Sequence, residues 1–165
     1  MISLARVITA LNRGLFGAAK WLVYAIVLLM LWEVVSRYAL AHPTSWAPEL
    51  ATLVFGPFFL LGGPHLLHLG GHVAVDILSE RATGGLARGL HLAGLALAAA
   101  FGAILLWFSL PLVAQSFSYG ETSYSAWNPV LWPAKAFLPL SALLLLLQAA
   151  ADAVLALAGP DAEAA

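Results

Sequence analysis

The chain has no cysteine among its 165 residues. That excludes disulfides, thiolate nucleophiles, thiolate-held iron–sulfur clusters and Cys-based zinc sites. Charge is scarce too. Asp, Glu, Lys and Arg make up 9% of the residues, against about 25% in ordinary soluble domains. The formal net charge is −1, and no Lys/Arg cluster offers the phosphate contacts that a nucleic-acid partner needs. There is no phosphate-cradling glycine loop, no nucleophile–base pair with a third orienting group, and no set of carboxylates at metal-ligand spacing. The sequence therefore does not read as an enzyme, and no cofactor is expected.

What the sequence does have is apolar surface, with 62% of its residues hydrophobic. A soluble domain of this size could not hide so much, because its surface is too large for its volume. Lipid is the natural solvent. A membrane helix needs about 20 apolar residues, and four segments qualify, at about 21–40, 48–69, 90–115 and 133–157. The connections are short, so neighbouring helices are expected to pack antiparallel. The first thirty residues mix basic and apolar character as a secretory signal does. Glu33 and Arg37 follow the run without a small-residue cleavage site, so it reads as an uncleaved span.

Basic residues set the expected orientation. Arg6, Arg13 and Lys20 precede the first span, and Arg81 and Arg88 lie between the second and third. The other side has only Arg37 and Lys135. Both termini are thus expected in the cytoplasm, with the 41–47 and 116–132 loops outside. Residues 1–20 carry Leu4, Val7, Ile8, Leu11 and Leu15 on one helical face, and Arg6, Arg13 and Lys20 on the opposite face. That is the pattern of an interfacial helix with its cations near anionic lipid headgroups. Phe117, Tyr119, Tyr124, Trp127 and Trp132 crowd the second outer loop, and Trp46 marks the first, as in an aromatic belt. Residues 159–165 read as a frayed polar tail. The expected fold class is all-α: an integral membrane four-helix bundle at 21–158 behind an N-terminal amphipathic interfacial helix.

Polar residues within spans need partners. Glu33 and Arg37 are one helical turn apart in the favourable order. They read as a self-neutralising pair or as a contact with another polypeptide. Pro48 and Glu49 suit the first turn of the second helix, the Pro by its fixed φ and the carboxylate by the helix dipole. Gly56-Pro57 and Gly62-Gly63-Pro64 are expected to kink that helix and free backbone carbonyls. Gly94, Ala98 and Gly102 form a small-residue stripe on the third span, which permits close helix approach. Gln148 and Asp152 lie one turn apart and are expected to hydrogen-bond to a neighbour or reach the interface. His65, His68, His72 and His91 gather toward the inner loop. Histidines on two neighbouring helices could hold haem, which keeps a haem-binding anchor subunit of a respiratory enzyme as the alternative. A self-assembling channel is disfavoured, because no polar stripe runs from face to face.

The order of several motifs carries a resemblance. Arg37-Tyr38, Trp46 and Glu49-Leu50, then Gly71-His72-Val73-Ala74-Val75-Asp76, then Trp132-Pro133-Ala134-Lys135 with Leu138-Pro139-Leu140, together resemble the small membrane subunits of TRAP (tripartite ATP-independent periplasmic) transporters. Leu50 stands where family members often have a second acidic residue. The resemblance implies a bacterial inner membrane location and two partners: a large membrane subunit that moves substrate and sodium as an elevator, and a periplasmic binding protein that delivers an organic acid. The small subunit would brace the large one and hold no substrate. On this reading Glu33, Arg37, Trp46, Glu49 and Lys135 are candidate structural or subunit-interface residues. His72 and Asp76 would order the inner loop, with Asp76 capping a short helix at 77–82. Glu121, Tyr124 and Trp127 would face the binding protein.

Overall fold

The computed structural model describes residues 1–70 and 85–158. His72, Asp76, the expected short helix at 77–82 and the 159–165 tail lie outside the described residues. Within them the chain is helical: α1 (Ile2–Ala19), α2 (Leu22–Tyr38), α3 (Trp46–His68), α4 (Gly85–Ser118), α5 (Trp132–Lys135) and α6 (Phe137–Ala158). Four segments are long and apolar enough to cross a membrane: Ile2–Tyr38, Trp46–His68, Gly85–Ser118 and Trp132–Ala158. The α2–α3 and α4–α5 connections lie at one end of the bundle, the outer end, and the opposite end is the inner one.

Proline chemistry explains the helix details. α3 runs unbroken through Pro57 and Pro64. Pro64 has no N–H for the carbonyl of Leu60, one turn earlier. The Ser141 hydroxyl of α6 donates to that carbonyl at 2.7 Å instead. The carbonyl freed by proline thus becomes an interhelical tie. Pro139 likewise cannot bond the carbonyl of Lys135, and the helix breaks there at Ala136, between α5 and α6. Pro133 sits in the first turn of α5, where its missing N–H costs nothing.

The long helices pack in a row, α2 against α3, α3 against α6, and α6 against α4. α2 and α4 are the edges of this open bundle and do not close extensively on each other. α4 and α6 approach closely at Gly102. A Cβ added at Gly102 would stand 3.1 Å from Cγ of Leu146 and 3.3 Å from the carbonyl oxygen of Ala142. Gly94, in the same stripe, meets nothing within 4 Å. Only the outer part of the small-residue stripe is used for this approach.

α1 packs along α3 and α6, from their inner ends up to Leu61 and Leu144. Ala5 packs with Ala151 and Leu155, and Ala19 with Leu61 and Leu144. Ala5 to Ala19 covers about 21 Å of α1, and Leu155 to Leu144 about 16 Å of α6, at 1.5 Å per residue. The helix is therefore inclined alongside α6 and climbs into the bundle. Its packing face is Ala5, Asn12 and Ala19. That face lies about a quarter turn from the apolar stripe of Leu4, Val7 and Leu11, which stays exposed. Arg6, Arg13 and Lys20 are exposed on a third face. α1 passes into α2 through an elbow at Lys20 and Trp21, which remains hydrogen-bonded: the Lys20 N–H donates to Phe16 O at 2.9 Å and the Tyr24 N–H to Trp21 O at 3.1 Å.

Candidate functional site

The outer end is built from three polar ties. The first closes the α2–α3 connection. Glu33 is 4% exposed, deep for a carboxylate, and its oxygens are fully engaged. Oε1 accepts from Arg37, and Oε2 accepts from the Thr44 N–H at 3.0 Å and from the Thr44 hydroxyl. The guanidinium of Arg37 is half exposed. Ser36 donates to the His42 carbonyl, and the His42 N–H returns to Ser36 O at 2.9 Å. The turn between them puts Ala41 at φ 54°, a left-handed position that a non-glycine residue holds only against a cost. Glu33 and Ser36 are the only buried residues of α2, so this helix is fastened at its outer end.

The second tie joins α3 to the long outer loop. Glu49, in the first turn of α3, accepts from the Ser125 hydroxyl. The carboxylate therefore serves the loop as well as the helix dipole. Trp46 opens the same helix and is partly exposed. Glu49 makes no hydrogen bond to Glu33 or Arg37; the two clusters are separate.

The third tie joins the loop to α5, through the pair of Lys135 with Glu121. The Lys135 ammonium, with the Ser116 hydroxyl nearby, holds the Glu121 carboxyl below the usual carboxylate range. The loop between is ordered by its own bonds. Thr122 and Val130 form an antiparallel bridge. The Tyr124 N–H donates to Asn128 Oδ1 at 2.9 Å, and the Asn128 N–H to the Ser125 hydroxyl at 2.9 Å. Tyr124 and Asn128 both take φ 54°. Asn tolerates this conformation and Tyr does not, so the Asn128 side chain pins a strained Tyr124. Tyr119 and Tyr124 are almost fully exposed, and Trp127 partly so. A shallow open depression of about 480 Å³ lies among Leu112, Gln115, Tyr119, Glu121, Tyr124 and Lys135.

A fourth cluster lies at the inner half, where α1, α3 and α6 meet. Gln148 is wholly buried and Asn12 is 1% exposed. The Asn12 amide donates to Gln148 Oε1 at 2.8 Å. Gln148 Nε2 donates to the Thr9 hydroxyl at 3.0 Å and to Asp152 Oδ1 at 2.9 Å. His68 Nδ1 meets the same Asp152 oxygen at 2.7 Å. His65, one turn before it on α3, packs against Phe16 of α1 with the rings tilted and their centroids 4.9 Å apart. The sequence pairing of Gln148 with Asp152 pointed to this seam, but not to Asn12 or Thr9. The available signal was the seven-residue spacing of Ala5, Asn12 and Ala19, which is not the apolar face.

Chemically, these clusters fasten; they do not react. Each described outer carboxylate is bonded to a hydroxyl, an amide or a cation. Among the described residues no group of three or more His, Cys, Asp or Glu could hold a metal ion. The haem alternative gains no support: His65 and His68 share one helix, and His68 is committed to Asp152. The match to known proteins fits this picture. The family model of the DctQ component of tripartite ATP-independent periplasmic transporters matches residues 26–159. The chain belongs to the DctQ family. It is a small membrane subunit of a TRAP transporter and a transporter component, not an enzyme. Among curated proteins, none matches the chain. As a component of a tripartite transporter, a DctQ subunit works with a large membrane subunit and a binding protein. The family match runs from within α2 to the end of α6 and leaves the whole of α1 outside it.

Proposed function

We propose that this DctQ component is the static brace of its transporter. It supports a large elevator-type subunit and adds to the surface on which a periplasmic binding protein docks, during sodium-driven uptake of an organic acid. The observation that carries the reading is a division within the molecule. The outer carboxylates are spent on internal ties, while α2 and α4 leave most of their apolar surface uncovered. A row of helices with fixed ends and bare faces suits scaffolding. Arg37, half exposed beside its Glu33 partner, and Trp46 are the contacts offered to the large subunit. Glu121, Tyr124 and Trp127 face the binding protein, on the ordered loop described above. The protein sits in the bacterial inner membrane with both termini in the cytoplasm, as the basic residues near the inner end require.

Co-purification with mass spectrometry tests the reading. A stable complex with a much larger membrane protein is expected, and recovery of this chain alone would refute the brace. Arg37→Glu is expected to lower complex yield, because it sets a second acid beside buried Glu33. Unchanged yield and transport would remove Arg37 from the interface.

A further inference from the structure

We propose that the elbow between α1 and α2 is a binding site for the headgroup of an anionic phospholipid, with Arg13, Lys20 and Trp21 as its walls and Gly17 as its floor. Gly17 stands one turn after Arg13 and one turn before Lys20, so all three share a helical face. A Cβ at Gly17 would meet nothing within 4 Å. The face therefore has an open notch between two exposed cations, which is the shape a phosphodiester fits.

Among the described residues no carboxylate compensates the charge there. The first carboxylate side chain in the sequence is Glu33. Among the described residues, no ion pair involves Arg6, Arg13 or Lys20. Depth makes this matter. Ala19 packs at the level of Leu61, which precedes His68 by about 10 Å of helix. Lys20 thus lies well above the inner end of α3, near or within the hydrocarbon boundary of a layer about 30 Å thick. An exposed ammonium at that depth must reach down to the headgroups or draw a counter-charge up to it. A phospholipid phosphate is the anion that reaches this depth.

The surroundings suit a lipid more than a soluble phosphate. Trp21 is 63% exposed, with Lys20 Nζ 6.0 Å from its ring. It pairs with Tyr24 at 5.4 Å between centroids, an aromatic couple fitted to the glycerol–ester level. Above, toward the middle of the bilayer, Val27 and Leu31 of α2 are exposed and free for acyl chains. The incline of α1 creates the site: a helix lying flat would hold all three cations at one depth.

Native mass spectrometry of the full chain from nanodiscs containing phosphatidylglycerol and phosphatidylcholine tests this. Preferential retention of phosphatidylglycerol is expected. Arg13→Gln and Lys20→Gln should each reduce that preference roughly five-fold, the worth of one cation near a membrane surface. Gly17→Leu fills the notch, leaves the charge intact and favours helix, and it should reduce the preference as well. Circular dichroism and thermal unfolding confirm that the variants fold. Equal retention of the two lipids overturns the proposal. So does loss of preference in the charge variants with none in Gly17→Leu, which would mean diffuse attraction without a site. Displacement of the lipid by millimolar glycerol phosphate would overturn the assignment to lipid in favour of a soluble phosphate.

Discussion

Gln148→Leu is the sharpest probe of how α1 is held. Gln148 is fully buried and makes hydrogen bonds to Asn12, Thr9 and Asp152. The bonds to Asn12 and Thr9 are interhelical, and such bonds in membrane proteins contribute about 0.6 kcal/mol each, so the two give a lower figure of about 1 kcal/mol. The substitution also strands Asn12. Its Oδ1 already lacks a partner, and without Gln148 its amide has none either. An unsatisfied buried amide costs about 1–3 kcal/mol. The expected loss is thus about 2–4 kcal/mol. The double variant Asn12→Leu/Gln148→Leu removes both partners and replaces them with apolar bulk, which can be nearly neutral. It should therefore be more stable than Gln148→Leu alone. Thermal unfolding in detergent reads the stability. Because the chain has no cysteine, Ala5→Cys with Ala151→Cys, neighbours in one packed cluster, reports whether α1 is docked. Crosslinking should fall in Gln148→Leu and recover in the double variant. A double variant that loses the sum of its single losses would refute the seam as a coupled unit, and unchanged crosslinking in Gln148→Leu would show that it does not hold α1.

Three further outcomes follow from the geometry. Gly102→Leu should destabilise by about 1–3 kcal/mol, as overpacking does, because Leu146 and the Ala142 carbonyl already crowd that position; Gly94→Leu, in open space, should be neutral or gain up to about 1 kcal/mol of helix propensity, and thermal unfolding distinguishes them. Ser141→Ala should lose about 1–2 kcal/mol by orphaning the Leu60 carbonyl, and Pro64→Ala added to it should recover part of the loss by supplying the missing N–H, read in the same assay. The Glu121–Lys135 tie should be fully present above the ordinary Glu value of 4.5 and lost as pH falls through the depressed folded value; outer-loop proteolysis should therefore rise on acidification in the native chain and show a flatter profile in Glu121→Gln.

The fold class was legible because lipid imposes a simple rule. Each spanning segment must satisfy its own backbone and show apolar side chains outward, so long apolar runs report helices directly. The order in which the helices meet was not legible. α2, α4 and α6 are all apolar around most of their circumference, and such helices carry no amphipathic stripe to say which side faces protein. The structure resolves the row through small and polar residues: Gly102 against Ala142, Ser141 against Leu60, and Glu33 with Ser36 at the end of α2.

The outer residues divide along the same line. Glu33 with Arg37 was readable because the pair is local, one turn apart on one helix. Thr44, Ser125 and the partnership of Glu121 with Lys135 were not, because they depend on where loops return. α1 shows the same limit inside a helix. Its sequence advertises a two-faced pattern, apolar against basic, and that contrast is what periodicity detects. The face that binds the bundle takes in only the edge of the apolar one, where Ile8 and Leu15 pack against the core. Its centre is two alanines and an asparagine, whose value lies in closeness and hydrogen bonding, and those properties have no weight in a hydropathy count. In lipid, apolar surface no longer distinguishes an interface, since the acyl chains are as apolar as leucine. A membrane subunit of this kind is therefore better read through its small and polar residues than through its apolar ones. Asn12, Ser141 and Gly102 would each pass unnoticed in a soluble domain, and here they fix how α1, α3 and α4 sit against α6.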